Sequence, residues 1–179
     1  TSGAMISYLE VFGRAGETVE SLADKLAYMA NESRLTTEDI QTFSNFALAA
    51  ASAAGLTVDS VSALATQFSK AGVNASTIGT QIRSLTKVFL DNAKGVKSFF
   101  ADIGVVQANF QAELAAGGKR SNDAIIALSK NLAGLTREEF NRVTASMDIL
   151  QRNSLTLLRQ QSEGIAGSIG ELVEGTHSG

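Results

Sequence analysis

Three short stretches of the chain repeat one grammar: LTTEDI from Leu35, LTVDSV from Leu56 and LTREEF from Leu135. In each, a threonine is placed to cap a helix, its hydroxyl accepting a hydrogen bond from an unpaired amide of the first turn. Acidic residues follow within that turn (Glu38 and Asp39, Asp59, Glu138 and Glu139), where the helix dipole favours negative charge. The leucine before each cap and the apolar residue five positions on form a hydrophobic staple. These pairs are Leu35 with Ile40, Leu56 with Val61, and Leu135 with Phe140. Gly55 and Gly134 precede two of the units, suited to the left-handed residue that closes a helix. Three helix starts and two helix ends follow from these residues alone.

Between the starts, apolar residues recur at helical spacing. Val19, Leu22, Leu26 and Met29 make one stripe; Ile40, Phe43, Ala47 and Ala50 a second; Val61, Leu64, Ala65 and Phe68 a third. Ile78, Ile82, Leu85 and Phe89 make a fourth, and Val96, Phe99, Phe100 and Ile103 a fifth that Gly104 ends. Ser121 is placed to cap a sixth helix burying Ile125, Leu128 and Leu132. The last begins at Thr136, passes Phe140, Val143, Met147 and Leu150, and either continues toward Glu163 or breaks at the capping-like SMD from Ser146. VVQANF from Val105 is the one weak strand candidate. The 179 residues contain no proline, and 44% are hydrophobic against 18% charged, which suits a helical protein with a sizeable core. The expected fold is all-α: a compact bundle of about six or seven short antiparallel helices with Gly/Thr-capped joints. Residues 17–163 are expected to form that domain. Residues 1–16 read as a tag remnant or N-terminal extension, and the Gly-rich residues 164–179 as an exit segment to the rest of a longer chain. Gly164, Gly167 and Gly170, three apart, alternatively offer a small-residue face for close helix approach.

KAGVNASTIGTQIRSL, from Lys70 to Leu85, is the stretch on which chemistry could rest. A phosphate-binding P-loop needs G-x-x-x-x-G-K-[ST] after a strand. Here Thr80 and Gln81 follow Gly79 where lysine and a hydroxyl residue belong, and a helix precedes. The stretch reads instead as a joint. Gly72 closes one helix, Val73 folds back onto the core, and Asn74 or Ser76 caps the next. Gly79, inside that next helix, calls for another backbone passing close by. The single histidine, His177, and the lack of cysteine exclude His-based triads and thiolate metal sites. Neither a cofactor, a metal, a small-molecule ligand nor a catalytic role is expected.

The formal charge of −3 divides unevenly: net −5 over residues 1–59, +4 over 60–97 and −2 over 98–179. The middle segment carries Lys70, Arg83, Lys87, Lys94 and Lys97 against Asp91 alone. These five are candidates to face a partner. They form no polybasic run, so DNA contact is the weaker reading beside ordinary solvated helix faces. The most apolar window, FALAAASAAGL from Phe46, is too short to span a bilayer and reads as a buried, tightly packed helix.

In their order these motifs resemble the core region of phage tail tape-measure proteins. The resemblance rests on Ala71, Gly72, Val73, Ser76, Gly79, Thr80, Ile82 and Arg83, which match that family's Ala-Gly-[Ile/Val] joint, serine turn and Gly-Thr-x-[Leu/Ile]-Arg helix start. AAGLTVD around Gly55, FFADIGV from Phe99 and AIIALSKNLAGLTREEF from Ala124 match the flanking elements, over roughly residues 17–160. Where the family commonly has a proline after the fourth helix, this chain has DNAKG. The resemblance implies a structural protein of the phage or prophage tail lumen, made in the bacterial host cytoplasm. Its implied work is tail assembly, length determination and genome ejection. Tail tube subunits, tail assembly chaperones and other copies of itself are the implied partners. The competing reading is a helical interaction domain of a secreted effector or signalling protein. A cell-wall hydrolase, which some such proteins carry elsewhere, is a third class that these residues do not support.

Overall fold

All three threonine units open helices as their residues require. The computed structural model describes residues 3–175, and in it Thr36, Thr57 and Thr136 each cap a helix. Each hydroxyl accepts from the amide three residues on, and the side chain at that position (Asp39, Ser60, Glu139) accepts from the threonine amide in return. Two further reciprocal or single caps had no threonine-leucine signature: Thr18 accepts from Ser21, and Asp148 forms a full box with Gln151. Thr18 opens the helix already marked by the Val19 stripe, whereas the Asp148 start cuts the chain finer than apolar periodicity suggests.

Eleven helices result among the described residues, not six or seven, and they contain no strand. They are α1 Gly3–Phe12, α2 Val19–Glu32, α3, α4 Val58–Lys70, α5 Ala75–Leu90, α6 Lys94–Asp102, α7 Gln107–Ala115, α8 Gly118–Ala133, α9 Arg137–Val143, α10 Ile149–Gln160 and α11 Ser162–Glu174. Helix α3 runs unbroken through Thr37–Phe43, a π-helical turn Ser44–Leu48, and Ala49–Ala53. No described helix is long and apolar enough to cross a membrane.

Helix α4 sits at the centre. Every residue from Val58 to Ser69 except Asp59 is buried, as expected of a helix surrounded on all sides. Helices α2, α5 and α11 pack on it, α1 and α3 close one flank, and α8 and α10 extend the core past α11 and α5. Phe43, Phe68, Phe89, Phe99 and Phe100 are fully buried, and the ring of Phe89 meets that of Phe110 edge-on at 5.0 Å. Ala63 and Ala65 let neighbours approach α4 closely, while its hydroxyls are satisfied locally or across. Thr66 donates to the Ser62 carbonyl at 2.8 Å, and Tyr8 shares a hydrogen bond with Ser62 at 3.1 Å. Burial there pushes the Tyr8 phenol far above its ordinary pKa.

The last helix is held by polar contacts. Lys25 of α2 is buried, donates to the Leu172 carbonyl of α11 at 2.9 Å and pairs with Asp59 of α4 at 2.7 Å. Its charge thus serves a carbonyl in the last turn of α11, where a cation is favoured. Burial raises the Asp59 carboxyl above the ordinary range, with Lys25 opposing that shift. Ser168 accepts from both Tyr28 and Gln67, at 2.9 and 2.7 Å.

Several expectations need correction. VVQANF is helical: α7 begins at Gln107 and buries Phe110 and Leu114. The last helix breaks after Val143 because Asp148, not Ser146, starts a new one. Ser121 lies inside α8 and caps nothing; its hydroxyl instead donates to the Gly55 carbonyl at 2.7 Å. Gly134 is right-handed at φ −76°, so it is not a left-handed stop. The apolar window from Phe46 is not wholly buried, since Phe46 and Ala53 face outward. Residues 3–12, read as an extension, form α1 with Ala4, Tyr8 and Phe12 in the common core. Residues 164–174 of the expected exit segment lie in α11, which begins at Ser162 and buries Ile165, Ile169 and Leu172. His177 lies outside the described residues.

Candidate interaction surface around Phe46

The joint at Ala71-Gly72-Val73 has a defined bond pattern. Gly72 stands at φ +92°, its amide donates to the Ser69 carbonyl, and the Val73 amide donates to the Phe68 carbonyl. That pair of bonds is the Schellman closure, with the residue after glycine folding its apolar side chain onto the helix it has just left. Val73 is accordingly packed against the core. Leu56 with Ala51 and Val105 with Phe100 repeat the same reach across Gly55 and Gly104. Three of the four Gly-apolar dipeptides quoted for the resemblance are thus one device used three times; Gly134-Leu135 is the exception.

Beyond the joint, Asn74 takes the cap position of α5 without a side-chain cap bond, and Ser76 sits exposed in the first turn. Gly79 is buried, and its close neighbour is a side chain instead of a backbone. A Cβ there would lie 2.9 Å from Cδ1 and 3.2 Å from Cβ of Phe46. Phe46 belongs to the π-helical turn of α3, whose wide winding turns Asn45 and Phe46 outward together between buried Ser44 and Ala47. Such turns recur at functional positions. The Arg83 guanidinium, one turn beyond Gly79 on α5, covers the ring at 4.9 Å. Phe46 therefore lies in a seat made by one missing side chain and roofed by one cation, yet stays 49% exposed.

Two grooves flank the ring. One, of about 360 Å³, runs between α3 and the start of α5, past Thr42, Asn45, Ser76, Gly79 and Thr80. The other, of about 340 Å³, runs on past Thr80, Arg83 and Lys87 to Asp148 and Leu150 of α10. Leu150 and its neighbour Ile149 are exposed at 47% and 65%. Glycine again permits the nearby approach: a Cβ on Gly95 would meet the Ser146 carbonyl oxygen at 2.7 Å, which sets the first turn of α6 against the turn before α10.

Of the expected partner-facing cations, Arg83 and Lys87 share this groove, and Lys94 flanks Gly95 at the start of α6. Lys97 is one turn further, and Lys70 stands apart at the end of α4. All five are exposed, and none pairs with a carboxylate among the described residues. Gly55 lines neither groove; its Cβ position abuts the Leu114 carbonyl. Sequence reasoning missed Phe46 and Leu150. Phe46 was masked by the alanines around it, which made the window read as core.

A sequence profile described as phage-related minor tail protein matches residues 1–147. The chain belongs to this family. Comparison with curated proteins returns no match, and comparison with solved structures returns none. The family match places this minor tail protein among phage tail components, and it covers α1 through α9 together with the whole Gly72–Arg83 stretch. It ends one residue before Asp148, the cap of α10, so the Leu150 wall of the second groove is supplied from beyond the matched region.

Proposed function

We propose that this minor tail protein is a structural module of a tail tape-measure protein, acting in tail assembly, length determination and genome ejection. Family membership supports the tail role, and the ordered match of the Gly55, Gly72–Val73 and Gly79–Arg83 motifs supports the finer assignment. In this reading the module works in the tail lumen of a phage or prophage. Tail tube subunits, tail assembly chaperones and further copies of the chain are its partners, and its role is non-catalytic.

The observation that carries the mechanical part is the repeated closure after Gly55, Gly72 and Gly104. A ruler that measures by length gains about 1.5 Å per residue of continuous helix. The longest regular α-helices here have 16 residues, or about 24 Å each, and each is folded back within a few residues. The module is therefore a compact knot in the parent chain and not the extended measuring part. Scattering in solution is expected to show a globular particle; a rod would refute the compact reading. For the tail role, a phage with this segment deleted in frame is expected to make no complete tails. Normal infectious virions from that deletion would refute it.

A further inference from the structure

We propose that the grooves on either side of Phe46 receive an acidic amphipathic helix of a partner protein. Four observations converge on that occupant. First, apolar side chains stand where a helix would press: the half-exposed Phe46 ring and Leu150 line the same groove, and Ile149, next to Leu150 in the chain, is exposed as well. Isolated apolar residues on a surface are ordinary, but these are gathered at one place between helices.

Second, the rim is basic and uncommitted. Arg83 and Lys87 have no carboxylate partner among the described residues. The Arg83 guanidinium lies 4.9 Å from the centre of the Phe46 ring, a contact that uses its face and leaves N–H groups for an acceptor. The one acid in the groove, Asp148, is already engaged: its carboxylate accepts from the Gln151 amide at 2.8 Å as the cap of α10. Third, Arg83 and Lys87 are four residues apart on α5, about 6 Å along its axis. Carboxylates at i and i+4 of a second helix have the same spacing. Fourth, the molecule offers a channel between helices, and among the described residues it has no strand whose edge could take an extended peptide. Helix-in-groove docking is the mode that such a channel supports.

A nucleic acid fits less well. Two cations in the groove would neutralise few phosphates, and Phe46, Leu150 and Ile149 would have nothing apolar to meet along a duplex backbone. The surface rests on its own geometry, and its test does not depend on the tail role proposed above.

The test uses the whole chain, isotope-labelled, and three probes: a synthetic helical peptide with a leucine stripe and glutamate flanks, the same peptide with lysine flanks, and a short DNA duplex. The glutamate peptide is expected to give saturable, salt-weakened amide shifts around Phe46, Thr80, Arg83, Lys87 and Leu150. Arg83→Glu with Lys87→Glu should weaken it by about tenfold or more, with association slowed, as for rim charges that steer binding. Lys87→Glu alone, at an exposed position, keeps the test open if the double variant misfolds, and Phe46→Ala should weaken binding without changing its salt dependence. No shifts with the glutamate peptide, equal binding of the lysine peptide, or tighter binding of DNA at the same residues would each overturn the proposal.

Discussion

Replacing Gly79 by alanine sets two calculable effects against each other. Glycine inside a helix costs about 1 kcal/mol relative to alanine, and Gly79 has no left-handed φ to preserve. On propensity alone Gly79→Ala would stabilise α5. The added methyl, however, would lie 2.9 Å from Cδ1 and 3.2 Å from Cβ of Phe46. Because the Phe46 Cβ is itself crowded, rotating the ring does not clear the contact, and the cost expected is that of Phe46 giving up its seat. A phenylalanine buries roughly 200 Å², so the buried half of Phe46 is worth about 2.5 kcal/mol. Its exposed stacking with Arg83 adds about 0.5 kcal/mol. Net destabilisation of about 2 kcal/mol is expected after the propensity gain. In a Phe46→Ala background the same change should stabilise by about 1 kcal/mol. The sign of the alanine effect thus reverses between backgrounds, with a coupling near 3 kcal/mol. Urea unfolding of the four chains measures it. If Gly79→Ala stabilises equally with and without the Phe46 ring, the seat has no energetic meaning and the reasoning fails.

Three other outcomes are expected. Lys25→Met should destabilise by about 2–3 kcal/mol by leaving the partly buried Asp59 carboxylate unpaired, somewhat less than for a fully buried pair. Adding Asp59→Asn should recover most of that in thermal unfolding, and a double variant as weak as the single would contradict it. Gly55→Ala should cost more than Gly72→Ala. Both glycines are left-handed, which costs alanine about 1–2 kcal/mol, but only at Gly55 does the new methyl also meet backbone, 2.5 Å from the Leu114 oxygen. Equal losses in denaturant midpoint would argue against that packing. Finally, the Thr136 amide holds the Glu139 carboxylate below its ordinary value of 4.5. A depressed acid contributes stability that is present above the unfolded pKa and lost as pH falls through the folded one. Unfolding followed between neutral and acid pH should therefore show a loss below about pH 4.5 that shrinks in Glu139→Gln.

Helix class and most of the core were legible because capping and periodicity are local. The stripes at Val61–Phe68 and Ile78–Phe89 are buried as their spacing requires. Helix number was less legible. Asp148 caps through Gln151, which apolar counting does not register, and α7 buries only Phe110 and Leu114 per two turns. The importance of α4 was hidden as well: Ser60, Ser62, Thr66, Gln67 and Ser69 look like an exposed face, but all are buried. What decides their fate is the arrival of distant groups such as Tyr8 and Ser168. The candidate surface was half visible. Gly79 and Arg83 stood out by motif, whereas Phe46 and Leu150 join them only through a π-helical turn and a helix start that spacing does not reveal.

That hydroxyl-rich central helix has a consequence for synthesis. The side of α4 carrying Gln67 is covered by α11, the last helix of the described chain, so a ribosome releases α4 about a hundred residues before its lid. Nascent chains fold from the N-terminal side and are exposed to aggregation while covering elements are still unmade. A strip of leucines waiting that long would adhere to any neighbour. Gln67 is instead wetted by water until it finds Ser168, which makes that side of α4 less adhesive while α11 is unmade.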